Sequence, residues 1–567
     1  SIPPRLVQQA LMVLIQHHCV LHSRPSNDTV GNDEYFEIDR SEVLSRMRFG
    51  FYLAIAREWG GEEVRHYRRH ILTQAQAIVR LLLYHGQMRA SDVENLLAHV
   101  PEHALNDVKY GVEPQEAFDA NQAARIRRLL VQMLQSSLVR PSTPVQHVSR
   151  QDRQLAYENM LRNSHKGIPT AKLLREVKVK AAAMIDEEDR REWEGVDDDT
   201  GELRLGLKRK SSITEPQREK RHKRQGYTDV SAARAEADGV EIDGEIWLRV
   251  HYDFFNAQLR NQILVNAVLR KYNAVTADVF RCMLAADRLG LSPCEKDDRS
   301  RPISLSTLAH RIPSSLRIQR GLDRRSLVSD DHKSKAPSQQ ELLAEYVAIL
   351  AGYDNVSSSV QGKRFLAPFG TNTILSAGGS GRVATSFTIE YGNIIHELQV
   401  QLVRSVVVER FGPMAGRIFS ILVEKGKLEE KHIAKLGLLS MNDTRDICSR
   451  LFAASLLNLQ EVPKSNERNP QRTFFLWFVD LDKCKAWLLD HQYKTLAQLS
   501  RRRFYEQRRK TSLLRKADRT DVREDSDALL TDWERKSLAA LHSVQEAISV
   551  AEERVALDVF VMEQFST

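Results

Sequence analysis

Three stretches of this chain end an apolar helix in the same way. They read Leu14-Ile15-Gln16-His17-His18-Cys19-Val20-Leu21, Met133-Leu134-Gln135-Ser136-Ser137-Leu138-Val139 and Leu451-Phe452-Ala453-Ala454-Ser455-Leu456-Leu457. In each, the helix end passes through small or polar residues into the start of a strand. A joint that recurs at distant positions marks a degenerate internal repeat. With 567 residues the chain is too long for a single core and has room for about four domains. Hydrophobic residues make up 42% and charged residues 28%, with few Gly and Pro, a balance that favours helix over sandwich or barrel.

The clearest module runs from Gly416 to Val479. Ile418, Ile421 and Leu422 form a helical stripe closed by Lys425-Gly426, and a second short helix follows across Lys431–Leu436. Ser440 stands three residues before Asp443, a capping-box-like start for a third helix carrying Ile447, Leu451 and Phe452. Leu456–Leu459, a polar turn and Thr473–Val479 then predict a two-stranded ribbon. Three short helices followed by a ribbon is the order of a winged helix.

The same order predicts further copies. Ile71, Ala75, Ile78, Val79, Leu82 and Leu83 mark a first helix, Ser91-Asp92-Val93-Glu94 a capping box opening a second, and Glu116–Gln135 a third. Another copy begins near Tyr252, its third helix opening at Ser338-Gln339-Gln340-Glu341 and its wing formed by strands near Arg364–Leu366 and Thr385–Tyr391. The start of the chain reads as the back half of a copy: a helix over Pro4–His17, then strands at Val20-Leu21 and Tyr35–Ile38. At the other end, no Gly follows Gly437 and no Pro follows Pro470. A helix from Leu481 uses Cys484, Leu488 and Leu496. A second carries Leu529, Trp533, Ala540, Val544, Ala547, Ala551, Val555 and Val559 near heptad spacing, and the two suggest a hairpin joined around Thr520–Asp527.

The expected fold class is therefore mainly α with small β wings: tandem winged-helix modules plus a C-terminal antiparallel coiled-coil hairpin. The expected boundaries are 1–60 (partial first winged helix), 61–150 (second), 151–244 (charged insertion, partly disordered), 245–395 (third), 396–480 (fourth) and 481–567 (hairpin).

Several function classes find no support. The five cysteines form no Cys-x-x-Cys pair and no histidine lies at zinc-finger spacing, so neither a zinc site nor a disulfide framework is expected. No apolar run is long enough for a membrane helix. The chain starts at Ser1 rather than Met, which leaves room for a preceding piece, and shows no secretory signal. Gly362-Lys363 lacks the leading glycine of a phosphate loop, Gly378-Gly379-Ser380-Gly381 lies inside a wing, and His17-His18 reads as a polar helix end. No catalytic residue, metal or cofactor is expected.

The net charge of +8 is mild for this length, so local clusters matter more. Lys208-Arg209-Lys210 and, after nine residues, Lys220-Arg221-His222-Lys223-Arg224 read either as a bipartite nuclear import signal or as a basic linker. Arg501, Arg502, Arg503, Arg508, Arg509 and Lys510 lie on one helix and would meet phosphates, an acidic protein surface or only solvent. Lys363, Arg364 and Arg382 flank the third wing, where cations gain by counterion release from DNA. The Asp443–Ala454 helix balances Arg445 and Arg450 with Asp443 and Asp446, too mixed for a major-groove reader.

One family carries these features together. Val408-Glu409-Arg410-Phe411-Gly412, Arg417-Ile418-Phe419, Leu459-Gln460-Glu461-Val462-Pro463-Lys464, Arg472-Thr473-Phe474-Phe475-Leu476, Tyr493–Leu499 and Arg501–Arg503 resemble the family of the largest subunit in the initiation heterotrimer of RNA polymerase III. The resemblance is strongest over Val406–Arg509. It reaches the general transcription factor IIE alpha subunit at the level of winged helices. It implies a non-catalytic nuclear subunit that binds two smaller initiation subunits, docks on the polymerase clamp and helps open promoter DNA through weak or loop-mediated contacts. The first module departs from the family pattern by lacking its leading helices. A rival, the winged-helix scaffold of a proteasome lid or cullin assembly, predicts a long helical repeat before a single winged helix. A free sequence-specific regulator predicts strongly basic recognition helices.

Overall fold

In the computed structural model the described residues are 3–23, 34–59, 69–98, 120–164, 170–194, 207–209, 240–287, 298–313, 316–322, 339–352, 364–369, 386–463, 473–519, 521–522 and 529–563. They are mostly helical, with small antiparallel sheets. The chain divides into two compact units, residues 1–263 with 288–294, and 264–287 with 295–567. The division falls inside the Tyr252–Lys271 helix.

The recurring joint is one backbone device. After the helices Pro4–Gln16, Ala120–Gln135 and Met441–Ala453, the residues His18, Ser137 and Ser455 take φ of 56°, 63° and 62°. Each donates its N–H to the carbonyl three residues back: Ile15 at 2.9 Å, Leu134 at 3.2 Å and Phe452 at 2.9 Å. The following N–H reaches five residues back, from Cys19 to Leu14, Leu138 to Met133 and Leu456 to Leu451, at 2.9, 3.0 and 3.0 Å. This paired closure is the Schellman cap, which satisfies carbonyls left open at a helix end. A fourth helix, Gln339–Leu350, ends on Gly352 at φ 73°, its N–H 3.0 Å from the Ile349 carbonyl.

Sheet order recurs with the joint. In three sheets a short strand before a helix pairs with the last strand, which also pairs with the strand following the joint. The central strand is Trp247–Val250 (between Met88-Arg89 and Val139–Pro141), Ser386–Ile389 (between Ile303-Ser304 and Leu366–Phe369) and Thr473–Phe478 (between Leu428-Glu429 and Asn458–Pro463). At the start of the chain Val20–Ser23 pairs, among the described residues, with Tyr35–Ile38 alone.

These pairings move one boundary. Trp247–Val250 does not open the third module, as a start at 245 would require. It closes the sheet begun at Met88-Arg89 and Val139–Pro141, so the charged segment is inserted between two strands of one sheet. Both ends of that segment are fixed beside the sheet: Ser142 N–H donates to the Trp247 carbonyl at 2.8 Å, and Ser91 N–H to the Gly244 carbonyl at 3.1 Å. Between these ends the Arg150–Ser164 and Ala171–Glu194 helices are joined by ion pairs of Arg150 with Asp186 and Asp189 and of Arg153 with Glu188 and Asp189. The short strand Leu207–Arg209 pairs with Val240–Ile242.

The C-terminal winged helix has an apolar interior. Ile418, Phe419, Leu422, Ile433, Ile447, Leu451 and Leu457 are buried together. Ser440 caps its third helix by accepting from the Asp443 N–H at 3.1 Å. Phe452, expected on the buried face, is half-exposed and edge-packed on Trp477 with ring centres 5.9 Å apart. The same core holds Val403 and Val407 of the Tyr391–Phe411 helix, Cys484 and Leu488 of the Leu481–Arg509 helix, and Met562 of the Asp532–Glu563 helix.

The two last-named helices are linked by pairs running in opposite sense: Tyr493 with Glu563, Arg503 with Glu552 and Ser549, and Lys510 with the Ser537 carbonyl. The expected stripe on the second helix is wrong over most of its length. Trp533, Ala540, Val544 and Ala547 are exposed, as is Leu529 just before it, while Leu541, Ile548, Ala556 and Val559 are buried. Leu541 and Ile548 keep the same seven-residue spacing one position later than the exposed Ala540 and Ala547, and polar Ser549 and Glu552 lie beside that seam in contact with Arg503.

Candidate nucleic-acid and protein interfaces

The strands Leu366–Phe369 and Ser386–Ile389, where the third wing was expected, pair antiparallel in a register that sets Phe369 opposite Ser386. This brings both ends of the intervening loop to one edge. Arg364 precedes the first strand and is half-buried. Lys363 and Arg382 lie outside the described residues, as does Gly378–Gly381.

The basic helix divides its cations into two sets. Arg502 pairs with Glu506 at 2.7 Å, Arg503 with Glu552, and Lys510 donates to the Ser537 carbonyl at 2.8 Å. Beyond the helix, Lys516 bonds both Glu534 oxygens at 2.8 Å. That contact, with the Thr531 N–H and hydroxyl, holds the Glu534 carboxyl down at about 2. Arg501, Arg508 and Arg509 are exposed and form no ion pair among the described residues. Spacing alone grouped all six cations; the acceptors on the neighbouring helix and within the turn separate them.

Of the import candidates, Lys208 and Arg209 belong to a strand, in register with Glu241 and Val240, rather than to an unfolded stretch. Lys210, Lys220, Arg221, Lys223 and Arg224 lie outside the described residues. In the Met441–Ala453 helix, Arg445 pairs with Glu430 at 3.2 Å and Arg450 with Asp446 at 3.4 Å, so its acidic neighbours neutralise both cations. The expected capping box at Ser91 does not form with Glu94; the helix starts at Ala90, and Glu94 instead accepts from Arg127 at 2.6 Å.

Sequence reading missed a buried polar web in the first unit. Arg249, 3% exposed on the central strand, forms an ion pair with Glu42. Burial works most strongly against the Arg249 charge, but Glu42, Tyr252 and Asp253 together outweigh it, so the guanidinium is held more firmly as a cation. Beside it His18, 2% exposed, stacks on His147 with ring centres 4.2 Å apart. Ser142 Oγ lies 3.3 Å from His18 Nε2. Burial, with Arg249, His147 and Arg140 nearby, pulls the His18 pKa far below the usual imidazole range. Burial likewise lowers His147, and burial with Arg46 and His85 lowers His17 to about 4. The pair His17-His18 was the only signal, and nothing local distinguishes a buried histidine from a solvated helix end. Tyr52 donates to Asn256 Oδ1 at 2.7 Å in the same unit.

Comparison with known proteins bears on both units. Residues 403–479 match the family model described as the C-terminal winged-helix domain of POLR3C. Residues 128–376 match the model described as RNA polymerase III subunit RPC82, which extends the likeness well before Tyr252. Among curated relatives, DNA-directed RNA polymerase III subunit rpc3 of Ajellomyces capsulatus is 24% identical over 340 residues, covering 53% of this chain and 50% of the relative. Subunit RPC-3 of Coccidioides immitis is 25% identical over 325 residues, 52% of this chain and 47% of the relative. Subunit rpc3 of Botryotinia fuckeliana is 32% identical over 160 residues, 28% and 24%. The chain spans about half the length of the first two relatives it matches. Two separate stretches answer to the same subunit, one in a module whose helix and strand order was read from its residues, and the chain belongs to the RPC3/RPC82 family of RNA polymerase III subunits.

Proposed function

We propose that the chain is a non-catalytic nuclear subunit of RNA polymerase III that acts in transcription initiation as a tandem winged-helix array closed by an antiparallel coiled-coil hairpin. The observation that carries this reading is the joint and strand order repeated along the chain, together with the family to which it belongs. In this reading the domains follow the sequence boundaries, except that the second module extends through Val250 and contains the insertion. The array docks on the polymerase clamp and binds two smaller initiation subunits. Lys363, Arg364 and Arg382 contribute phosphate contacts at the third wing, and the Lys208–Arg224 blocks serve nuclear import. Neutralised recognition-helix cations favour a protein-binding scaffold with loop-mediated DNA contact over a free sequence reader.

Affinity purification of the full chain from nuclear extract, with quantification of stoichiometric partners, tests the assignment. Recovery of polymerase III with two small subunits is expected, and recovery of a proteasome-lid or cullin assembly would overturn it. For the wing, alanine at Lys363, Arg364 and Arg382 is expected to lower the salt dependence of duplex binding by about 0.9 in slope per lost phosphate contact. An unchanged slope removes those residues from the interface. Truncation at Asp480 would be a poor probe of the hairpin, because it strips Cys484, Leu488 and Met562 from the winged-helix core.

A further inference from the structure

The Leu481–Arg509 helix buries Cys484, Leu488, Gln492, Leu496 and Glu506, and its opposite face holds an unusual set of side chains. Phe504 and Tyr505 are 64% and 58% exposed. Arg501 and Arg508 lie one heptad apart on that outer face, about 10 Å along the axis, with the aromatics between them. Arg509 flanks the set. The other cations nearby are neutralised within the chain: Arg502 by Glu506, Arg503 by Glu552 and Lys494 by Asp490. Arg501, Arg508 and Arg509 have no such partner among the described residues. Two large rings in water and unpaired guanidinium groups on one helical face are features an interface would cover.

Two facts favour a protein helix as the occupant over a nucleic acid. Positions i, i+3, i+4 and i+7 form the seam by which one helix packs on another, with charges at its margins. Adjacent rings on a helix also point about 100° apart, so Phe504 and Tyr505 straddle a ridge rather than line up as a stacking track for successive bases.

We propose that this face docks an acidic amphipathic helix of a partner protein. Carboxylates about two turns apart pair with Arg501 and Arg508, and the apolar residues between them cover Phe504 and Tyr505. This deepens the reading of the hairpin as a docking element and rests on it.

The test uses the full chain and two helix-stabilised synthetic peptides with Leu at the two central positions. One carries Glu at the flanking positions seven apart, the other Lys, and a single-stranded oligonucleotide serves as third probe. Fluorescence anisotropy is expected to show binding of the Glu peptide only. Phe504→Ala with Tyr505→Ala should weaken it at least tenfold. Arg501→Glu with Arg508→Glu should abolish it and create binding of the Lys peptide, a reversal that unfolding cannot produce. Equal binding of both peptides, binding of neither, or affinity unchanged by the substitutions overturns the proposal. So does oligonucleotide binding that is lost with the same substitutions while the Glu peptide fails to bind. Polymerase recovery is measured separately on the unsubstituted chain: Glu-peptide binding without polymerase overturns the functional assignment alone, and polymerase recovery without peptide binding overturns this face alone.

Discussion

The sheet centred on Trp247–Val250 and the sheet centred on Thr473–Phe478 share one strand order but not one interior. The C-terminal core is apolar, with Trp477 buried in the same cluster as Leu451 and Leu457. The earlier sheet carries Arg249 at its centre, paired with Glu42 beside stacked His18 and His147. Their connections differ as much. Residues 464–472 join the outer and central strands of one sheet, and residues 142–246 join those of the other. A tenfold longer flexible connection would add only about 2 kcal/mol of closure entropy. The difference teaches that strand order is set by the capped helix end and the short strand before the second helix. Interior chemistry and connection length are then free to vary.

Substitutions can break this comparison. The largest effect is expected from Arg249→Ala, which leaves Glu42 buried without its partner and should cost about 3–5 kcal/mol. Hydrogen exchange on the full chain should show the loss of protection confined to the first unit. Arg249→Met with Glu42→Leu should recover most of it, because an apolar pair of similar volume removes the stranded charge. If the single and double substitutions unfold the unit alike, the polar web is not what distinguishes this interior.

Acidification should come next in size. His17, His18 and His147 bind protons less readily in the folded chain than in the unfolded one. Stability is therefore full above the ordinary imidazole pKa near 6.5 and falls with pH below it, because the unfolded state takes up protons that the folded state refuses. For His17 the fall levels off near 4. Thermal melts followed by hydrogen exchange between pH 7 and 5 should show the first unit weakening before the C-terminal module. Parallel loss in both would remove the imidazole stack as the cause.

The smallest effect sharpens the shared feature. Ser137→Gly and Ser455→Gly replace residues held in the left-handed region and should each stabilise by up to about 1 kcal/mol. Similar gains at the two sites would confirm one device in two modules. A gain at only one would mean that the serines serve different local needs.

What was legible follows from these physics. Helices and the joint could be read because apolar spacing and a turn of small residues are local signals. The strands Met88-Arg89, Ile303-Ser304 and Leu428-Glu429 were not, since two residues carry no alternation. Trp247–Val250 was assigned to the following module because its partners lie across the insertion. The stripe on Asp532–Glu563 failed because Ala540 and Ala547 share their seven-residue spacing with Leu541 and Ile548, and spacing alone does not say which series is buried. Among candidate site residues, sequence found the basic helix but not its division, which for Arg503 and Lys510 depends on acceptors from a distant segment.

The paired strands Leu207–Arg209 and Val240–Ile242 set Arg209 directly opposite Val240. Whatever polypeptide is spliced between those two residues must leave and re-enter the fold at one doorway. An affinity handle or fluorescent domain with closely spaced termini, placed there, would hang from the chain without prising apart the sheet to which the insertion is anchored.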